Sequence, residues 1–386
     1  MDFWDILTYI DIILFVLVSM TVFYMAFYSI ASLIRRHQDV PKAKKDNRFI
    51  IFITAYKGGR NVEQTTSSIL GQTYPQRLFD VTVISDHSSE MTNFRLAQQP
   101  ITLLTPNFEK SSKAKSLQLA INNLPQFKIY DIVVILDAGN VVEPEFLQQM
   151  NDAYEAAGTK CIQAHRLSQN RDTVTSRLSA IFEEINNSIF RRGHITIGLS
   201  AATAGSGMAF DFNWFKQNIA TATTDWEDKE LEARLLRQHI YVDYFDQIMV
   251  YDEKTRQAEE FNRQRHSWML SQFSTIFRNI RYLPIAIFDR HYDLVDKILQ
   301  WLLIPRMLLM MIIVLMGTIL PFIYMSMAFK WWGLFAYVVF IFALATPNYL
   351  VDEKWNSTFF KIPIVLLASF LGKFGLGKRL KKYIND

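Results

Sequence analysis

Carboxylates follow short apolar runs at several points of the sequence, and such residues could act as a general base or hold a cation. Asp86 ends the run VTVISD, Asp137 ends IVVILD, and Asp228 lies in TTDWEDKELEARLLRQ. Two positions after Asp137 stands Gly139, where a second carboxylate would complete the oxygen ligands that Mg²⁺ or Mn²⁺ prefers. The stretch ILDAGNVVEPEFL therefore indicates either a cation site that lacks one ligand or an ordinary strand end.

Each of these residues also has a purely structural explanation. Acids such as Glu227, Asp228 and Glu230 are favoured in the first turn of a helix by its macrodipole. A lone aspartate such as Asp86 is commonly a helix cap or turn residue. Lys113, in SSKAKSLQLAINN, lies either near bound phosphates at a helix N-terminus or on a solvated helix face. Local sequence leaves these alternatives open.

The elements that must position these residues form an α/β pattern between about residue 48 and residue 270. Short β-rich runs alternate with helical patterns, which indicates a largely parallel sheet covered on both faces. The predicted strands are 49–55, 81–85, 101–104 and 132–136. Ligands of such sheets gather at the carboxyl ends of the strands, where Asp86 and Asp137 lie.

Three uncharged runs, 12–34, 307–329 and 331–351, are long enough to span a bilayer. The basic stretch RRHQDVPKAKKDNR follows the first run, so the positive-inside rule places the middle of the chain in the cytoplasm. Because the runs carry no charge, a transporter is not indicated. The short run 362–372 and the basic tail after it predict an interfacial helix, with Lys378, Arg379, Lys381 and Lys382 at the membrane surface.

Composition narrows the function further. The net charge of +4 does not indicate a nucleic-acid-binding protein, and the one cysteine, Cys161, excludes an intramolecular disulfide. We predict three parts: an N-terminal membrane anchor and basic linker (1–47), an α/β domain (48–270), and interfacial helices, two membrane helices and a basic tail (271–386).

The order and spacing of these motifs resemble the membrane-bound family 2 glycosyltransferases. ITAYKGGRNVEQTTSSILGQTYP resembles the family's opening strand and loop, and ATAGSGMAFDFNWF resembles its acceptor loop. FNRQRHSWML resembles its Gln-x-x-Arg-Trp motif, with Ser267 in place of the arginine, and Gly139 departs from its Asp-x-Asp pair. The resemblance implies a GT-A, Rossmann-like cytoplasmic domain between transmembrane helices.

The resemblance also assigns roles to individual residues. Asp228 is implied as the catalytic base, and Asp137 as the ligand of Mg²⁺ or Mn²⁺, with Asn140, a water or the donor phosphates filling the position that Gly139 leaves open. Donor-binding residues are implied at Ala55, Tyr56, Asp86, Lys113, Asp137, Arg263, Gln264 and Arg265. Acceptor-binding residues are implied at Gly205, Ser206, Gly207, Glu227 and Trp268.

The implied function is inverting sugar transfer from a nucleotide-diphosphate donor, expected to be a UDP-sugar, to a hydroxyl of a glycan or lipid-linked acceptor. The expected location is the cytoplasmic (inner) membrane, where the chain is a multi-pass protein in cell-envelope or extracellular polysaccharide synthesis. The expected partners are membrane lipid and either further copies of the chain, in a homo-oligomer, or envelope-assembly proteins. Two alternatives stay open: a polyprenyl-phosphate sugar transferase, and a sugar-nucleotide-binding scaffold with weakened catalysis.

Overall fold

The computed structural model describes residues 3–34, 40–223 and 226–351 of the chain. The strands are β1 (Phe49–Tyr56), β2 (Phe79–Asp86), β3 (Thr102–Leu104), β4 (Ile132–Asp137), β5 (Asn140–Val142), β6 (Cys161–Ser168), β7 (Met208–Asp211) and β8 (Val242–Asp252). The helices are α1 (Phe3–Ser32), α2 (Arg60–Leu70), α3 (Glu90–Ala97), α4 (Lys113–Asn122), α5 (Phe146–Ala157), α6 (Val174–Asn186), α7 (Gly193–Thr196), α8 (Phe212–Ile219), α9 (Glu227–Arg237), α10 (Ala258–Asn279), α11 (Leu283–Phe288), α12 (Tyr292–Leu302), α13 (Arg306–Ile323) and α14 (Met325–Ala345).

The eight strands form one sheet in the order β3-β2-β1-β4-β7-β6-β8-β5 within the described residues. All four predicted strands form, and β3, β2, β1 and β4 pair in parallel. The other half is mixed, which the prediction of a largely parallel sheet did not include: β6 and β8 pair in parallel, but three pairings are antiparallel in the described residues. There β7 runs antiparallel to β4 and β6, and β5 runs antiparallel to β8. The sequence could not indicate this, because antiparallel pairing depends on how distant segments return to the sheet.

The parallel half is apolar on both faces because helices cover both. Successive side chains of a strand point to opposite faces. In β1, Phe49, Ile51 and Ile53 pack into one core cluster, while Ile50 and Phe52 pack into the other. This two-sided burial explains the unbroken apolar run FIIFI and sets the carboxyl ends of β1, β2 and β4 side by side.

In the part of the chain that the structure describes, three helices are long and apolar enough to cross a membrane: Asp5–Ser32 within α1, α13 and α14. The predicted boundary between the second and third runs differs from the structure. The chain breaks its helix at Tyr324, in an extended conformation, and α14 begins at Met325. Since the whole stretch is apolar apart from Lys330, hydrophobicity gives no marker for the turn.

The helices extend beyond the uncharged runs and therefore include charged residues, among them Asp11 and Lys330. Asp11 lies inside α1, is 3% exposed, and forms an ion pair with Lys330 of α14. Trp331 also donates its indole N–H to Asp11 at 2.8 Å. A carboxylate that is both paired and hydrogen-bonded is tolerated in such a setting, and here it ties α1 to α14.

The α/β domain is joined to the membrane helices through α6 and the π-helical segment Asn187–Arg192 that follows it. Val22 and Met25 of α1 share a buried cluster with Ile185 of α6. A Cβ at Gly193 would lie 2.3 Å from the Tyr28 carbonyl oxygen, so this close approach of α7 to α1 requires glycine. The predicted interfacial tail, including the run 362–372, lies outside the described residues, as do Arg35 and Arg36.

Candidate active site

A cavity of about 860 Å³ opens at the carboxyl ends of β1 and β4. Its walls come from the loop after β1, the end of β8, α10, and the residues that precede α13. Of the predicted site residues, the cavity brings together Tyr56, Asp137, Asp228, Gln264 and Trp268. Residues more than 200 positions apart in the sequence, such as Tyr56 and Trp268, therefore face one space.

Asp137 lies at the end of β4 and is held from several sides. Its Oδ1 accepts a hydrogen bond from Thr54 Oγ1 at 3.2 Å and forms an ion pair with Lys113. Its backbone N–H donates to Asn140 Oδ1 at 3.0 Å. Because 37% of its side chain remains exposed, Asp137 can still meet a ligand in the cavity.

Lys113 lies at the first turn of α4, as predicted, but its ammonium points at the protein. It donates to the Gly205 carbonyl oxygen at 2.6 Å and lies 3.7 Å from Glu227 Oε1, in addition to its ion pair with Asp137. Burial alone would lower the pKa of Lys113, but the charge of Asp137 and the hydrogen bond to it raise that pKa instead. In this arrangement Lys113 orients Asp137 and compensates its charge.

Glu227 and Asp228 occupy the first turn of α9, where the helix macrodipole favours acids. Asp228 lines the cavity, and a Cβ built on Gly205 would lie 3.7 Å from Asp228 Oδ2. Glu227 is 3% exposed, and this burial raises its pKa to about 8 despite the nearby Lys113 ammonium. The two adjacent acids therefore differ: one faces the cavity, and the other is a buried carboxyl that keeps its proton near neutral pH.

Asp86 lies one strand away from Asp137, on the far side of β1. Register pairs Tyr56 with Asp86 and Thr54 with Asp137, so the two acids flank the end of β1. Asp86 is 2% exposed, and His87 Nδ1 lies 2.6 Å from its Oδ1. Asp86 is not among the described lining residues of the cavity. Of the three predicted acids, Asp137 and Asp228 therefore line one cavity, and Asp86 lies at the end of β2, on the other side of β1 from Asp137.

The last two residues of β1, Ala55 and Tyr56, are the remaining predicted donor contacts at the strand ends. Ala55 is 3% exposed and packs in the core, whereas Tyr56 is 59% exposed. The Tyr56 ring lies 5.9 Å from the His87 ring, and the Lys57 ammonium lies 5.3 Å from the Tyr56 ring. An exposed aromatic face beside a cation suits the stacking of a planar base.

The glycine loop touches the site mainly through its backbone. Gly205 and Gly207 have φ values of +80° and +64°, a conformation that favours glycine. Gly207 donates its N–H to the Ile135 carbonyl oxygen at 2.9 Å, and Ser206 is fully buried. Of the three predicted loop residues, Gly205 is the one that lies against Asp228.

The motif on α10 reaches the cavity through two of its side chains. Gln264 and Trp268 line the cavity, and Trp268 is 40% exposed. Arg263 is exposed and is not among the described lining residues. The side chain of Arg265 lies outside the part of the chain that the structure describes.

Sequence reasoning missed a buried ionic cluster on the wall of the cavity, which includes Arg166 of β6 and Lys254 just after β8. Arg166 lies 2.5 Å from Asp252 Oδ2 and donates to the Ala204 carbonyl oxygen at 2.7 Å. Lys254 lies 2.8 Å from Asp252 and 3.2 Å from Glu183. Charged residues in HRLSQNRD and VYDEKTRQ could have indicated the cluster, had the carboxyl ends of β6 and β8 been located.

A divalent cation would find the half-exposed carboxylate of Asp137 at the end of β4. Asn140 cannot complete the site, because it is fully buried and its amide is used by the Asp137 N–H and, at 2.9 Å, by Asp252. Gly139 has φ +98°, and its N–H donates to Thr65 Oγ1 at 2.9 Å, so the turn itself favours glycine. In the described ranges, no group of three His, Cys, Asp or Glu residues could hold a metal. The arrangement fits a cation held by Asp137 together with a diphosphate.

Comparison with known proteins gives the same picture of the fold. Residues 47–271, more than half of the chain, match the model described as glycosyltransferase like family 2. No curated protein matches the sequence.

Among solved structures, the mannosyltransferase PcManGT from Pyrobaculum calidifontis, in complex with GDP-Man and Mn²⁺, aligns with a TM-score of 0.55 at 12% identity, over 94% of this chain and 97% of that one. S. aureus TarS 1–349 in complex with UDP-GlcNAc aligns with a TM-score of 0.43 at 11% identity, over 87% and 90% of the two chains. The similarity to PcManGT shows a shared fold.

Proposed function

Because the chain belongs to the glycosyltransferase family 2-like proteins, we propose that it is an inverting glycosyltransferase that uses a nucleotide-diphosphate sugar. The acceptor is a hydroxyl group of a glycan or a lipid-linked molecule at the membrane face. The observation that carries this proposal is the shared cavity, which holds Asp137 and Asp228 and also reaches the membrane helices at Met25 and Arg306.

In the proposed reaction, Asp228 is the catalytic base. An inverting transfer needs a carboxylate that takes the proton of the acceptor hydroxyl as its oxygen attacks the anomeric carbon from behind. The position of Asp228 at the cavity surface, next to Gly205, supports this role. An α-linked donor then gives a β-linked product without a covalent intermediate. Buried Glu227 contacts Lys113 and serves to hold that cation in place.

The donor is proposed to lie across the ends of β1, β2 and β4. Tyr56 and Asp86 would contact the base and ribose, and Asp137 would lie beside the diphosphate. Mg²⁺ or Mn²⁺, bound by Asp137 and the diphosphate, would stabilise the negative charge that develops on the leaving group. Lys113 keeps Asp137 in a fixed orientation, because Thr54 and Lys113 both contact its Oδ1. A UDP-sugar is the proposed donor, with hexosyl transfer as the reaction.

The enzyme is proposed to work at the cytoplasmic face of the inner membrane as a multi-pass protein, in cell-envelope or extracellular polysaccharide synthesis. The three apolar helices support the membrane association. The basic sequence after the first of them supports the cytoplasmic orientation of the catalytic domain.

The test is a panel of UDP- and GDP-sugars offered to the protein purified in lipid, with release of nucleoside diphosphate measured. We expect release from one or two donors, and a loss of about 100-fold or more in Asp228→Asn, since general-base catalysis contributes about that much. Nucleotide binding should persist in this variant. Glu230→Gln is the matched control, because Glu230 lies in the same helical turn and pairs with Arg234 at 2.5 Å, away from the cavity.

The control should keep its rate within about twofold, as is usual for a change outside the site. Equal turnover in Asp228→Asn and the parent protein would refute the catalytic assignment. Tight nucleotide binding with no turnover of any donor would instead support the sugar-nucleotide-binding scaffold.

A further inference from the structure

We propose that the membrane-facing half of the cavity binds the phosphate group of a lipid-linked acceptor, with Arg306 and Arg191 as its cationic contacts. This inference rests on the proposed function, because it names the chemical class of the acceptor for the same site. It concerns the part of the cavity that Met25, Arg191 and Arg306 line.

Arg306 is a buried cation at the point where a membrane helix begins. It is the first residue of α13, is 6% exposed and lines the cavity. Its guanidinium donates to Asn186 Oδ1 at 2.6 Å and lies 5.4 Å from the Phe182 ring and 5.9 Å from the Phe190 ring. These contacts hold the planar group in one orientation, which suits bidentate recognition of a phosphate.

Arg191 provides a second guanidinium on the same wall. It is 4% exposed, lines the cavity, and lies in the helical segment that follows Asn186. Its Nε donates to the Ala202 carbonyl oxygen at 3.1 Å, and its Nη1 lies 3.2 Å from Glu183 Oε1. Both arginines are therefore fixed by one stretch of chain, Glu183 to Arg191.

The charge of this wall favours an anion. Arg166, Arg191 and Lys254 share two carboxylates, Asp252 and Glu183, through the ion pairs that join them. Among these five side chains, three are cationic and two are anionic. A phosphate would supply the missing negative charge, and a partly desolvated site makes that attraction stronger than in water.

Apolar side chains continue from the arginines towards the membrane helices. The cavity is lined there by Met25 of α1 and by Leu303, Ile304 and Pro305, which precede α13. The Ile304 N–H donates to Thr21 Oγ1 of α1 at 3.4 Å, so this segment lies directly against the first membrane helix. A long hydrocarbon chain is the ligand part that matches such a lining, and a phosphate next to it would meet the arginines.

The same cavity connects this site to the proposed base. Arg191 contacts Ala202, and Thr203 donates its hydroxyl to the Asp228 carbonyl oxygen at 3.4 Å. An acceptor held by its phosphate at Arg191 and Arg306 therefore extends its sugar or other hydroxyl-bearing part towards Asp228. The phosphate fixes the acceptor, and the hydroxyl reacts.

The experiment measures binding of three probes to the full chain purified in detergent: a short polyprenyl phosphate, the polyprenyl alcohol of equal length, and inorganic phosphate. We expect the polyprenyl phosphate to bind at least about tenfold more tightly than either other probe, because each lacks one half of the interaction. Arg306→Gln should remove that advantage, and Arg306→Lys should keep part of it. Arg281→Gln is the control, since Arg281 is exposed and contacts Tyr282.

Binding of UDP or GDP by each variant reports that the α/β domain is folded. Equal binding of the phosphate and the alcohol would overturn the proposal, as would unchanged binding in Arg306→Gln. Inorganic phosphate that binds as tightly as the polyprenyl phosphate would overturn it in favour of a free-anion site. If the polyprenyl phosphate binds as expected while no sugar nucleotide is turned over, the proposed function fails and the phosphate site stands.

Discussion

Replacing Lys113 with methionine should destabilise the α/β domain, because the change removes the ammonium that joins three parts of the site. Lys113 forms an ion pair with Asp137, lies 3.7 Å from Glu227, and donates to the Gly205 carbonyl oxygen at 2.6 Å. Methionine fills a similar volume, so the loss comes mainly from the charge and its hydrogen bonds. Asp137 would be left without its cation and the Gly205 carbonyl without its donor.

The expected loss of unfolding free energy is about 3 kcal/mol. Removing one partner of a buried ion pair costs roughly 3–5 kcal/mol, because the remaining charge is uncompensated. We take the lower end because 20% of the Lys113 side chain and 37% of the Asp137 side chain remain exposed to solvent. For a domain of this size, the loss corresponds to a fall of about 6–12 °C in the unfolding midpoint.

Thermal unfolding of the purified variants in detergent measures this effect. Lys115→Met is the matched control, since Lys115 lies on the same helix, is exposed, and donates from its ammonium to the Lys110 carbonyl oxygen at 2.7 Å. It should change stability by less than about 0.5 kcal/mol. Adding Asp137→Asn to Lys113→Met should recover about 1 kcal/mol, because the stranded charge is removed. A fall in the Lys113→Met midpoint no larger than that of the control would refute this account of Lys113.

Three further predictions concern the turn, the buried acid and the cation. Gly139→Ala should lower the free energy of unfolding by about 1–3 kcal/mol, because φ at this position is +98°. The control Gly333→Ala, in a helix with open space around it, should not lower the free energy of unfolding. Equal unfolding midpoints for the two variants would contradict the strain argument. The native pKa of Glu227 is raised from 4.5 to about 8, so the native state holds this proton more tightly than the unfolded chain. The contribution of protonated Glu227 to the free energy of unfolding is complete below about pH 4.5. That contribution falls as the pH rises towards 8, by up to about 1.4 kcal/mol per pH unit. In unfolding scans from pH 5 to 9, the Glu227→Gln variant should not show this loss of stability with rising pH. The same pH dependence in the variant and the parent protein would contradict the role assigned to Glu227. Finally, binding of Mn²⁺, measured by electron paramagnetic resonance, should be at least about tenfold tighter when UDP is present. The reason is that the diphosphate supplies the ligands that the protein lacks. Asp137→Ala should abolish this increase in affinity. Tight binding of Mn²⁺ without UDP would show additional protein ligands.

Short-range patterns predicted the parallel half of the fold and its strand ends. The runs that became β1, β2 and β4 are apolar, β-branched and bounded by polar loops, so their placement needs only local sequence. Asp86 and Asp137 were correctly expected at strand ends because they directly follow such runs. The three membrane-length helices follow from hydrophobicity in the same way, although their ends do not.

The partners of the site residues depend on contacts between distant segments. Lys113 meets Asp137 and Gly205, which lies 92 positions away, and Arg166 meets Asp252 across 86 positions. No periodicity in the sequence encodes such pairings. The Asp-x-Asp pattern predicted that Asn140 could serve as a ligand, but only the structure shows that its amide is already used.

The sequence by itself determined the class of the fold, the apolar helices and the acids at the strand ends, because these depend on the residue types in one stretch of chain. Tertiary structure decided which cation meets which carboxylate, that the turn at Gly139 favours glycine, and that one cavity runs from Asp137 to Met25 and Arg306. The physical reason is that charge compensation and cavity shape are set by groups from separate elements, and they come together only when β6, β7 and β8 pair and α6 packs against α1.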